Sequence, residues 1–474
     1  MAHKPVAFSL EPNPIVHIDQ ELCTGCRRCA EVCPVEAVKG EKGEAQTIDV
    51  DRCVNCGQCV QTCSSFVTDF RYEEGLSSKE AKFKERGLLP SSKEPLFAAY
   101  NRGDALRMKG LLADKTLYKM VQCAPAVRVA LAEDFRLPLG ALTPGKMAAA
   151  LRALGFNRAY DTNFTADLTI MEEGSELIDR VTNKGLLPMF TSCCPGWVKY
   201  LETFYPGLAG HLSTCKSPQQ MAGPLFKTYG AEIDKVDPAR VLSVSVMPCT
   251  AKKYEAERPE MKASGHQDVD IVLTTRELAA LIKDAGIDFK NLKDEAFDEP
   301  LGLYTGAATI FGATGGVMEA ALRTGYELIT GQTLDQVDLK AVRGGEGFRT
   351  AAVPVGKLTL NVGVVSGLAH AAEVLEKVKA GDCNLHFIEF MCCPVGCVSG
   401  GGQPKVLLPE MKGKAYAFRT GSTYQHDQEL PLRKSHKNPQ IEAIYDKYLE
   451  KPLGHKSHEL LHTQYADRSS TIKA

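Results

Sequence analysis

The chain has 474 residues, of which 44% are hydrophobic and 24% charged, and its formal net charge is −2. This balance is typical of a globular protein of one to three domains, and it lacks the basic excess expected of a nucleic-acid binder. The 17 cysteines are the unusual feature. Because the first residues contain no apolar targeting segment, we expect a cytoplasmic protein whose clustered cysteines bind metal rather than form disulfides.

Two copies of one cysteine motif lie near the start of the chain. Each reads C-x2-C-x2-C-x3-C, and the copies begin at Cys23 and Cys53. Bacterial ferredoxins use this pattern, and the fourth cysteine of each run ligates the other cluster. Zinc usually takes paired C-x2-C motifs instead, so a structural zinc site is the weaker alternative. We therefore predict a ferredoxin-like domain over residues 1–70 with two 4Fe–4S clusters. One cluster would take Cys23, Cys26, Cys29 and Cys63, and the other Cys53, Cys56, Cys59 and Cys33.

Residues 71–115 are rich in lysine and glutamate and show no strand-like alternation, which predicts a partly helical linker. From 116 to 425 apolar strand-like runs alternate with helical patterns, as in an α/β domain with parallel sheets. The predicted strands or strand ends are 127–135 and 241–248, and the predicted helices are 142–156, 174–185, 274–287 and 369–381. The uncharged stretch 300–318 is rich in glycine, so we expect a loop leading into a buried helix and no membrane span.

Six further cysteines lie in three distant segments that look like loops: TSCCPGW (191–197), MPCTAKKYE (247–255) and EFMCCPVGCVSGGGQP (389–404). Two of the segments directly follow apolar runs. Ligands at the strand ends of an α/β domain can converge on one crevice. Four thiolates from these loops could therefore hold a further 4Fe–4S cluster.

These three segments resemble the signature segments of the FeFe (iron-only) hydrogenases. The resemblance implies an H-cluster, which is a 4Fe–4S cube bridged to a two-iron subsite with CO, cyanide and a dithiolate bridge. Its ligands would be Cys194, Cys249, Cys393 and Cys397, with Cys397 bridging the cube and the subsite. The implied reaction is reversible: two protons and two electrons from reduced ferredoxin form H2. Ferredoxin or flavodoxin is the implied electron partner, and dedicated maturation proteins would assemble the cluster.

The resemblance also implies a proton route. Cys193 would pass protons to the open iron, and a thiol with a pKa of about 8.5 suits this role near neutral pH. The route would continue through Glu173, Ser213, Glu176 and Arg180. The spacing of Glu173, Glu176 and Arg180 places them on one helix face, which alone would indicate only a solvated ion-pair face.

Further matches to the family surround the two-iron subsite. Lys252 resembles a lysine that meets a cyanide ligand. Met247, Met391, Gln219, Pro125 and Phe311 match other residues of that pocket, although core packing is the alternative for the apolar ones. The chain departs from the family at Cys392 and at Ala126, where a small apolar residue and a serine are found in other members. Cys123, Cys215, Cys383 and Cys392 have no assigned role, and we expect buried, hydrophobe-like thiols.

The tail over 426–474 contains an H-E-x-x-H match at His458, Glu459 and His462, a pattern that binds zinc in some proteases. The tail resembles the C-terminal extension of single-chain hydrogenases, which implies a surface helix without metal that wraps the catalytic domain over 116–425. Three alternatives stay open at this point: a hydrogen sensor, an iron–sulfur assembly protein of the same family, and a simple electron carrier. Assembly relatives lack the proton-relay cysteine, and an electron carrier leaves the three distal cysteine segments unexplained.

Overall fold

The computed structural model describes residues 14–67, 79–91, 95–345 and 347–472. The domain boundary predicted at residue 70 therefore lies outside the described residues. The strands are β1 (Val16–Ile18), β2 (Val38–Lys39), β3 (Thr47–Ile48), β4 (Phe66–Val67), β5 (Leu96–Phe97), β6 (Ala99–Asn101), β7 (Tyr118–Cys123), β8 (Arg158–Asp161), β9 (Met189–Phe190), β10 (Val241–Met247), β11 (Ile271–Thr274), β12 (Gly347–Val355), β13 (Leu358–Ser366) and β14 (Phe387–Met391).

Helices make up much of the remaining described chain. They are α1 (Arg28–Glu31), α2 (Gln58–Thr62), α3 (Lys79–Glu85), α4 (Ala105–Ala113), α5 (Pro144–Leu154), α6 (Thr162–Thr182), α7 (Pro195–Phe204), α8 (Pro218–Leu225), α9 (Ala231–Asp234), α10 (Ala251–Ala256), α11 (Thr275–Asp284), α12 (Gly306–Thr309), α13 (Gly316–Thr330), α14 (Ala371–Ala380), α15 (Pro409–Glu429), α16 (Pro439–Ile444) and α17 (His455–Leu461). Short 3-10 turns include Leu131–Phe135, Ile310–Gly312 and Cys397–Ser399, and single π turns cover Phe226–Gly230 and Tyr445–Leu449.

Two four-stranded sheets form the centre of the molecule. The first has the order β11-β10-β7-β8, and all of its strands are parallel. The second has the order β12-β13-β14-β9, in which β12 is antiparallel to β13 and the other pairs are parallel. Helices connect the parallel strands, as crossover connections require. The predicted α/β class with parallel sheets is therefore confirmed.

The prediction of a strand over 127–135 is wrong. This segment consists of turns followed by a 3-10 helix, and the strand before it is β7. Sequence reasoning missed β7 because it contains polar residues that are buried. Gln122 is fully buried, donates to the Gln219 carbonyl at 2.9 Å and accepts from the Thr162 hydroxyl at 2.9 Å. A satisfied polar side chain can lie in a core strand without an apolar pattern.

The predicted strand 241–248 and the helices predicted over 142–156, 274–287 and 369–381 are confirmed, with small shifts at their ends. The helix predicted over 174–185 is the second half of α6, which begins twelve residues earlier, at Thr162. Local sequence explains several of these ends. Asp161 caps α6 by accepting from the Asn163 amide at 2.9 Å, and Gly155 ends α5 in a left-handed conformation at φ 99°. The glycine-rich stretch 300–318 leads into α13, whose first nine residues are buried, as predicted.

The N-terminal part is tied to the central sheets. Strands β5 and β6, which lie in the segment predicted as a partly helical linker, pair with β4 and β1. Gln61 donates to the carbonyls of Gly400 and Gln403 at 3.0 and 2.8 Å. Thr250 donates to the Asn55 carbonyl at 2.6 Å. The two cysteine-rich regions therefore share an interface.

The C-terminal helices pack on the second half of the molecule. Arg323 of α13 donates to Asp427 of α15 at 2.8 Å and to Glu319 at 2.7 Å, and all three side chains are fully buried. Tyr445 and Leu461 belong to a core cluster with residues of α6 and α8. Across the described ranges, each helix is too short or too polar to cross a bilayer.

Candidate active site

The two N-terminal cysteine loops have the same backbone conformation. The third residue of each loop is left-handed, with φ 68° at Gly25 and φ 58° at Asn55. The fifth residue is left-handed as well, with φ 63° at Arg27 and φ 72° at Gly57. These turns fold each C-x2-C-x2-C run around one centre, and a short helix, α1 or α2, contains the third cysteine of each run.

The fourth cysteine of each run lies beside the other loop. Burial raises the pKa of the Cys29 thiol to about 11, and the neighbouring Cys23 and Cys63 thiols add to this rise. The pKa of Cys53 is likewise raised to about 11, by burial and by Cys56 and Cys33. Backbone amides donate to these sulfurs, for example Ala99 N to Cys63 at 3.3 Å and Ala37 N to Cys33 at 3.2 Å. Both thiol groups fit 4Fe–4S clusters with exchanged fourth ligands.

The three distal cysteine segments follow strand ends. TSCCPGW follows β9, MPCTAKKYE begins at the last residue of β10, and the third segment contains the end of β14. Trp197 fixes the first segment, because its ring stacks on Phe390 at 3.7 Å and its Nε1 donates to the Thr191 carbonyl at 3.0 Å. The strand ends of the two sheets converge, as expected for ligands in an α/β crevice.

One cavity collects the residues that the sequence singled out. It is lined by the four thiols predicted to bind the cube, Cys194, Cys249, Cys393 and Cys397, and by Cys193. The same lining includes Pro125, Gln219, Met247, Lys252, Phe311 and Met391. Burial raises the pKa of Cys249, and Cys393, Cys194 and Cys397 add to this rise because they lie close by. Four convergent thiols are the donor set that an iron–sulfur cluster uses, so the cavity fits such a group.

Lys252 is held in this cavity by a carboxylate that sequence reasoning missed. Its Nζ donates to Glu255 at 2.8 Å and to the Cys193 carbonyl at 3.0 Å. The same Glu255 oxygen accepts from Gln219 at 3.0 Å and from Ser217 at 2.9 Å. Glu255 stands three residues after Lys252 on α10, and this spacing was the available signal. The network fixes an ammonium group at the cavity wall.

The predicted proton-route residues form a partly connected chain. The Ser213 hydroxyl donates to Glu176 Oε2 at 2.8 Å, and Arg180 donates to Glu176 Oε1 at 2.6 Å. Among the described residues, neither carboxylate oxygen of Glu173 has a hydrogen-bond partner, and the side chain is buried. Burial raises the pKa of Glu173 to about 8, the charge of Glu176 adds to the rise, and Ser213 opposes it.

Cys193 lies between this chain and the cavity. Burial raises the pKa of its thiol well above the usual value, Glu173 adds to the rise, and the Lys252 ammonium opposes it. The thiol therefore holds its proton in these surroundings. A buried thiol next to a buried carboxyl group whose pKa is raised is an arrangement in which the carboxyl group can return a proton to the sulfur.

Comparison with known proteins agrees with this site. The family described as "Iron only hydrogenase large subunit, C-terminal domain" matches residues 118–401, and the "Iron hydrogenase small subunit" family matches 414–468. The 4Fe-4S dicluster domain family matches residues 15–64. This chain belongs to the iron-only hydrogenase family. Membership supports iron–sulfur clusters in the N-terminal region and an H-cluster in the cavity.

Individual relatives are similar over most of the chain. The NADP-reducing hydrogenase subunit HndD of Solidesulfovibrio fructosivorans is 53% identical over 75% of this chain, which spans 61% of that protein. The periplasmic [Fe] hydrogenase large subunit of Nitratidesulfovibrio vulgaris is 49% identical, over 82% of this chain and 86% of its own. A solved variant of the [FeFe]-hydrogenase HydA1 from Chlamydomonas reinhardtii is 41% identical with a TM-score of 0.68, covering 77% of this chain and 99% of its own. At 30% identity, the cytosolic iron-sulfur assembly component 3 of Bos taurus aligns with 74% of this chain and 75% of its own.

Within this iron-only hydrogenase, the four cysteines without an assigned role have different surroundings. Cys392 lies between the N-terminal region and the cavity, since its thiol is hydrogen-bonded to Cys56 and Cys194 and lowers the pKa of both. Cys215 is buried 4.0 Å from Glu176. Cys123 is fully buried at the end of β7, and Cys383 is half-buried at the edge of a core cluster.

The H-E-x-x-H match of this hydrogenase does not lie on one helix. Helix α17 ends at Leu461, and His462 continues in extended backbone. Both ring nitrogens of His462 have partners: Nδ1 lies 2.7 Å from the Thr214 hydroxyl and Nε2 lies 3.2 Å from Glu172. The prediction of a surface helix holds in part, because Ser457, Leu460 and Leu461 of α17 are buried.

Proposed function

We propose that this chain interconverts protons, electrons and H2, with a ferredoxin or flavodoxin as its electron partner. The observation that carries the proposal is the position of Cys193. Its thiol faces the cavity beside the four predicted ligand thiols, and it adjoins the buried Glu173. A cluster that only transfers electrons needs no such proton donor, whereas a proton-reducing site requires one.

The cavity residues divide into ligands and surroundings. Cys194, Cys249, Cys393 and Cys397 would hold the 4Fe–4S cube, and Cys397 would also bridge it to the two-iron subsite. When bound, the H-cluster supplies the redox chemistry that joins two hydrogen atoms. Lys252 would meet an anionic cyanide ligand, since its ammonium is fixed at the cavity wall by Glu255. Pro125, Gln219, Met247, Phe311 and Met391 would keep the rest of the subsite dry.

Protons would reach the cavity through side chains that can each hold one. Glu176 receives a proton at its carboxylate, and the Ser213 hydroxyl lies 2.8 Å away, between Glu176 and Glu173. Glu173 keeps a proton up to about pH 8 because its pKa is raised to about 8 by burial. Once the Cys193 thiol has passed its own proton into the cavity, Glu173 would give its proton to the Cys193 sulfur. Arg180 binds Glu176 at 2.6 Å and would hold its carboxylate at the outer end of the route.

Electrons would enter through the two N-terminal 4Fe–4S clusters. Cys26 of the first loop is exposed, whereas Cys56 of the second loop is buried and lines the cavity. This arrangement supports an electron path from a surface partner to the first cluster and then to the second. The first cluster would be held by Cys23, Cys26, Cys29 and Cys63, and the second by Cys53, Cys56, Cys59 and Cys33. One similar protein is named as an NADP-reducing hydrogenase subunit. The similar proteins therefore do not fix the electron partner, and ferredoxin or flavodoxin is our proposal.

We also propose that the protein is cytoplasmic and that maturation proteins assemble its cluster. Seventeen free thiols, most of them in the cysteine motifs, suit a reducing cytoplasm, although one similar protein is named as periplasmic. The diatomic ligands of an H-cluster require dedicated maturation proteins, which must act before the enzyme is assayed.

The decisive experiment measures hydrogen evolution from reduced viologen by anaerobic protein with a complete H-cluster, verified by the infrared bands of CO and cyanide. We expect rapid evolution that falls by at least about 10²-fold in Cys193→Ala, the scale of a lost general acid. Cys383→Ala is the matched control, because Cys383 lies outside the cavity and should keep full activity.

Other outcomes of this experiment would indicate a different function within the same family. A verified H-cluster without turnover would favour a hydrogen sensor. Failure to acquire CO and cyanide after maturation, with the cubane clusters present, would favour an assembly protein. Equal activity of Cys193→Ala and the parent would contradict the proposed proton donor while leaving the reaction itself in place.

A further inference from the structure

The C-terminal tail brings His462 to the outer end of the proton route. Its Nδ1 lies 2.7 Å from the Thr214 hydroxyl, and that hydroxyl lies 3.3 Å from Glu176 Oε2. The Thr214 amide donates to the same oxygen at 3.0 Å. Thr214 and His462 therefore extend the chain of hydrogen-bonding groups beyond Glu176, in a direction separate from Arg180.

The imidazole ring of His462 is held in place from its other side. Nε2 lies 3.2 Å from Glu172 Oε2, and the Glu172 carboxylate is fully buried. Glu172 also accepts from the Tyr445 hydroxyl at 2.5 Å and from the Leu453 amide at 2.8 Å. A carboxylate at Nε2 and a hydroxyl at Nδ1 suit a ring that carries a proton on each nitrogen in turn.

A surface pocket reaches this arrangement. Glu176, Arg180, Thr214, His458 and His462 are among its lining residues. His458 is exposed, and its ring centroid lies 4.1 Å from that of His462. The His462 side chain is 5% exposed, so the ring is buried except where it adjoins the pocket. Water in the pocket can therefore reach a titratable group that is two hydrogen bonds from Glu176.

Arg180 cannot serve as such a carrier. Its guanidinium stays charged at every working pH, and its nitrogens bind Glu176 at 2.6 Å and the Leu212 carbonyl at 2.8 Å. Protons must pass around it through water. Histidine changes its charge between about pH 5 and 8, the range in which a proton carrier operates.

We infer that Thr214 and His462 form a second proton route between solvent and Glu176. The inference rests on the proposed function of the site. A proton from pocket water binds at His462 Nε2, where Glu172 accepts its hydrogen bond. The Nδ1–H bond then breaks as its proton binds to the Thr214 oxygen, and the hydroxyl proton of Thr214 passes to Glu176 Oε2. In total, one O–H bond of protonated water, the Nδ1–H bond and the Thr214 O–H bond break, while one N–H bond forms at Nε2 and two O–H bonds form at Thr214 and Glu176; the reverse order carries protons outward.

The charged and titratable groups around His462 come from each packed element. They are Glu172, Glu176, Asp179, Arg180 and Lys184 on α6 and in the turn after it, His458 on α17, and Tyr445 on the π turn.

His462→Gln tests the route in the matured enzyme. Glutamine can still hydrogen-bond to Thr214 and Glu172 but cannot carry a proton. We expect hydrogen evolution from reduced viologen to fall several-fold, its pH profile to change in shape, and its solvent isotope effect to rise. The thermal midpoint and the cluster spectra should stay unchanged. His455→Gln is the control, since His455 is exposed at the start of α17, the helix that precedes His462, and lies outside the pocket lining.

Thr214 provides a second, independent pair of variants. Thr214→Val should match the His462→Gln pH profile because it removes the hydroxyl, and Thr214→Ser should restore the parent profile. A structural role predicts the opposite pattern, with a lower thermal midpoint and an unchanged pH profile, and that pattern would overturn the inference.

The results also separate the two proposals. An active parent enzyme that depends on Glu173 but not on His462 or Thr214 would overturn the second route and leave the reaction standing. A parent with a complete H-cluster and no turnover would overturn both.

Discussion

The backbone amide of Cys392 donates a hydrogen bond to the Sγ of Cys194 across 3.4 Å. The Cys392 thiol also lowers the pKa of both Cys194 and Cys56, and these two cysteines belong to two different predicted cluster sites. A donor to a cluster sulfur stabilises the reduced, more negative cluster. We therefore expect Cys392 to influence the reduction potentials of both predicted clusters between which an electron passes.

Replacing Cys392 tests this relationship. In Cys392→Ala we expect the reduction potentials of the second N-terminal cluster and of the cube to become more negative, because the one S–H donor that their cysteines share is lost. Cys392→Ser should keep a donor and restore part of the difference. A redox titration followed by electron paramagnetic resonance measures both potentials. Cys383→Ala is the control, and equal potentials in Cys392→Ala and this control would contradict the assignment.

The protonation of Glu173 can be measured directly. Its pKa is raised to about 8 by burial and by the charge of Glu176. A raised carboxyl pKa means that the proton is bound below pH 8 and lost above it. We expect an infrared band of a carboxylic acid at pH 7 that disappears with a midpoint near pH 8. The band should be absent from Glu173→Gln, and a midpoint near pH 4 would show that the carboxylate is solvated.

The buried ion cluster of α13 and α15 makes a prediction about stability. Arg323→Met would leave Asp427 and Glu319 without their shared cation in a fully buried position, although Arg433 still binds Asp427 and Arg343 still binds Glu319. Because each carboxylate keeps one cation, we expect a loss of about 1.5–3 kcal/mol, the scale of a hydrogen bond to a charged group. Chemical denaturation of the cluster-loaded protein measures the loss.

An exposed ion pair provides the control for Arg323→Met. Lys377 and Glu373 are a solvent-exposed pair on α14, so Lys377→Met should leave the unfolding midpoint unchanged. A midpoint of Arg323→Met equal to that of Lys377→Met would mean that the tail is not anchored by this cluster.

The contact between the N-terminal loops and the third cysteine segment allows little additional volume. A Cβ on Gly401 would lie 2.5 Å from the Cys56 carbonyl oxygen and 2.8 Å from the Gly57 Cα. Both are backbone atoms that cannot rotate away. Gly401→Ala should therefore destabilise the protein by about 1–3 kcal/mol and slow electron transfer between the two sites. Stopped-flow oxidation by protons, monitored at the N-terminal clusters, measures the transfer rate.

Gly413→Ala is the matched control for this contact, because a Cβ at Gly413 meets no atom within 4 Å. It should keep the parent transfer rate. Parent-like rates in both variants would show that the contact has no part in electron transfer.

Sequence reasoning succeeded where chemistry fixes the spacing of residues. Iron–sulfur clusters require cysteines at set intervals, so the motifs at Cys23 and Cys53 were visible directly. The convergence of Cys193 and Cys249 could be predicted because both segments follow apolar strands, whose carboxyl ends meet in an α/β fold.

The missed features depend on contacts between distant residues. β7 was not predicted because buried Gln122 finds its partners at Thr162 and Gln219, which no local pattern reveals. In the same way, the link from Glu176 through Thr214 to His462 joins positions far apart in the chain. Such polar contacts form only after the tail has packed.

The repeated cysteine loops show how the same conformation is constrained for different reasons. Arg27 and Gly57 hold equivalent positions with nearly equal φ values of 63° and 72°. Arginine is tolerated in the first loop, whereas a methyl group on Gly57 would lie 2.5 Å from the Thr250 hydroxyl. The left-handed turn favours glycine at both positions. At position 57 the close packing of Thr250 and of the Gly401 Cα, 3.0 Å from the same Cβ position, adds a second constraint that ties this loop to the catalytic region.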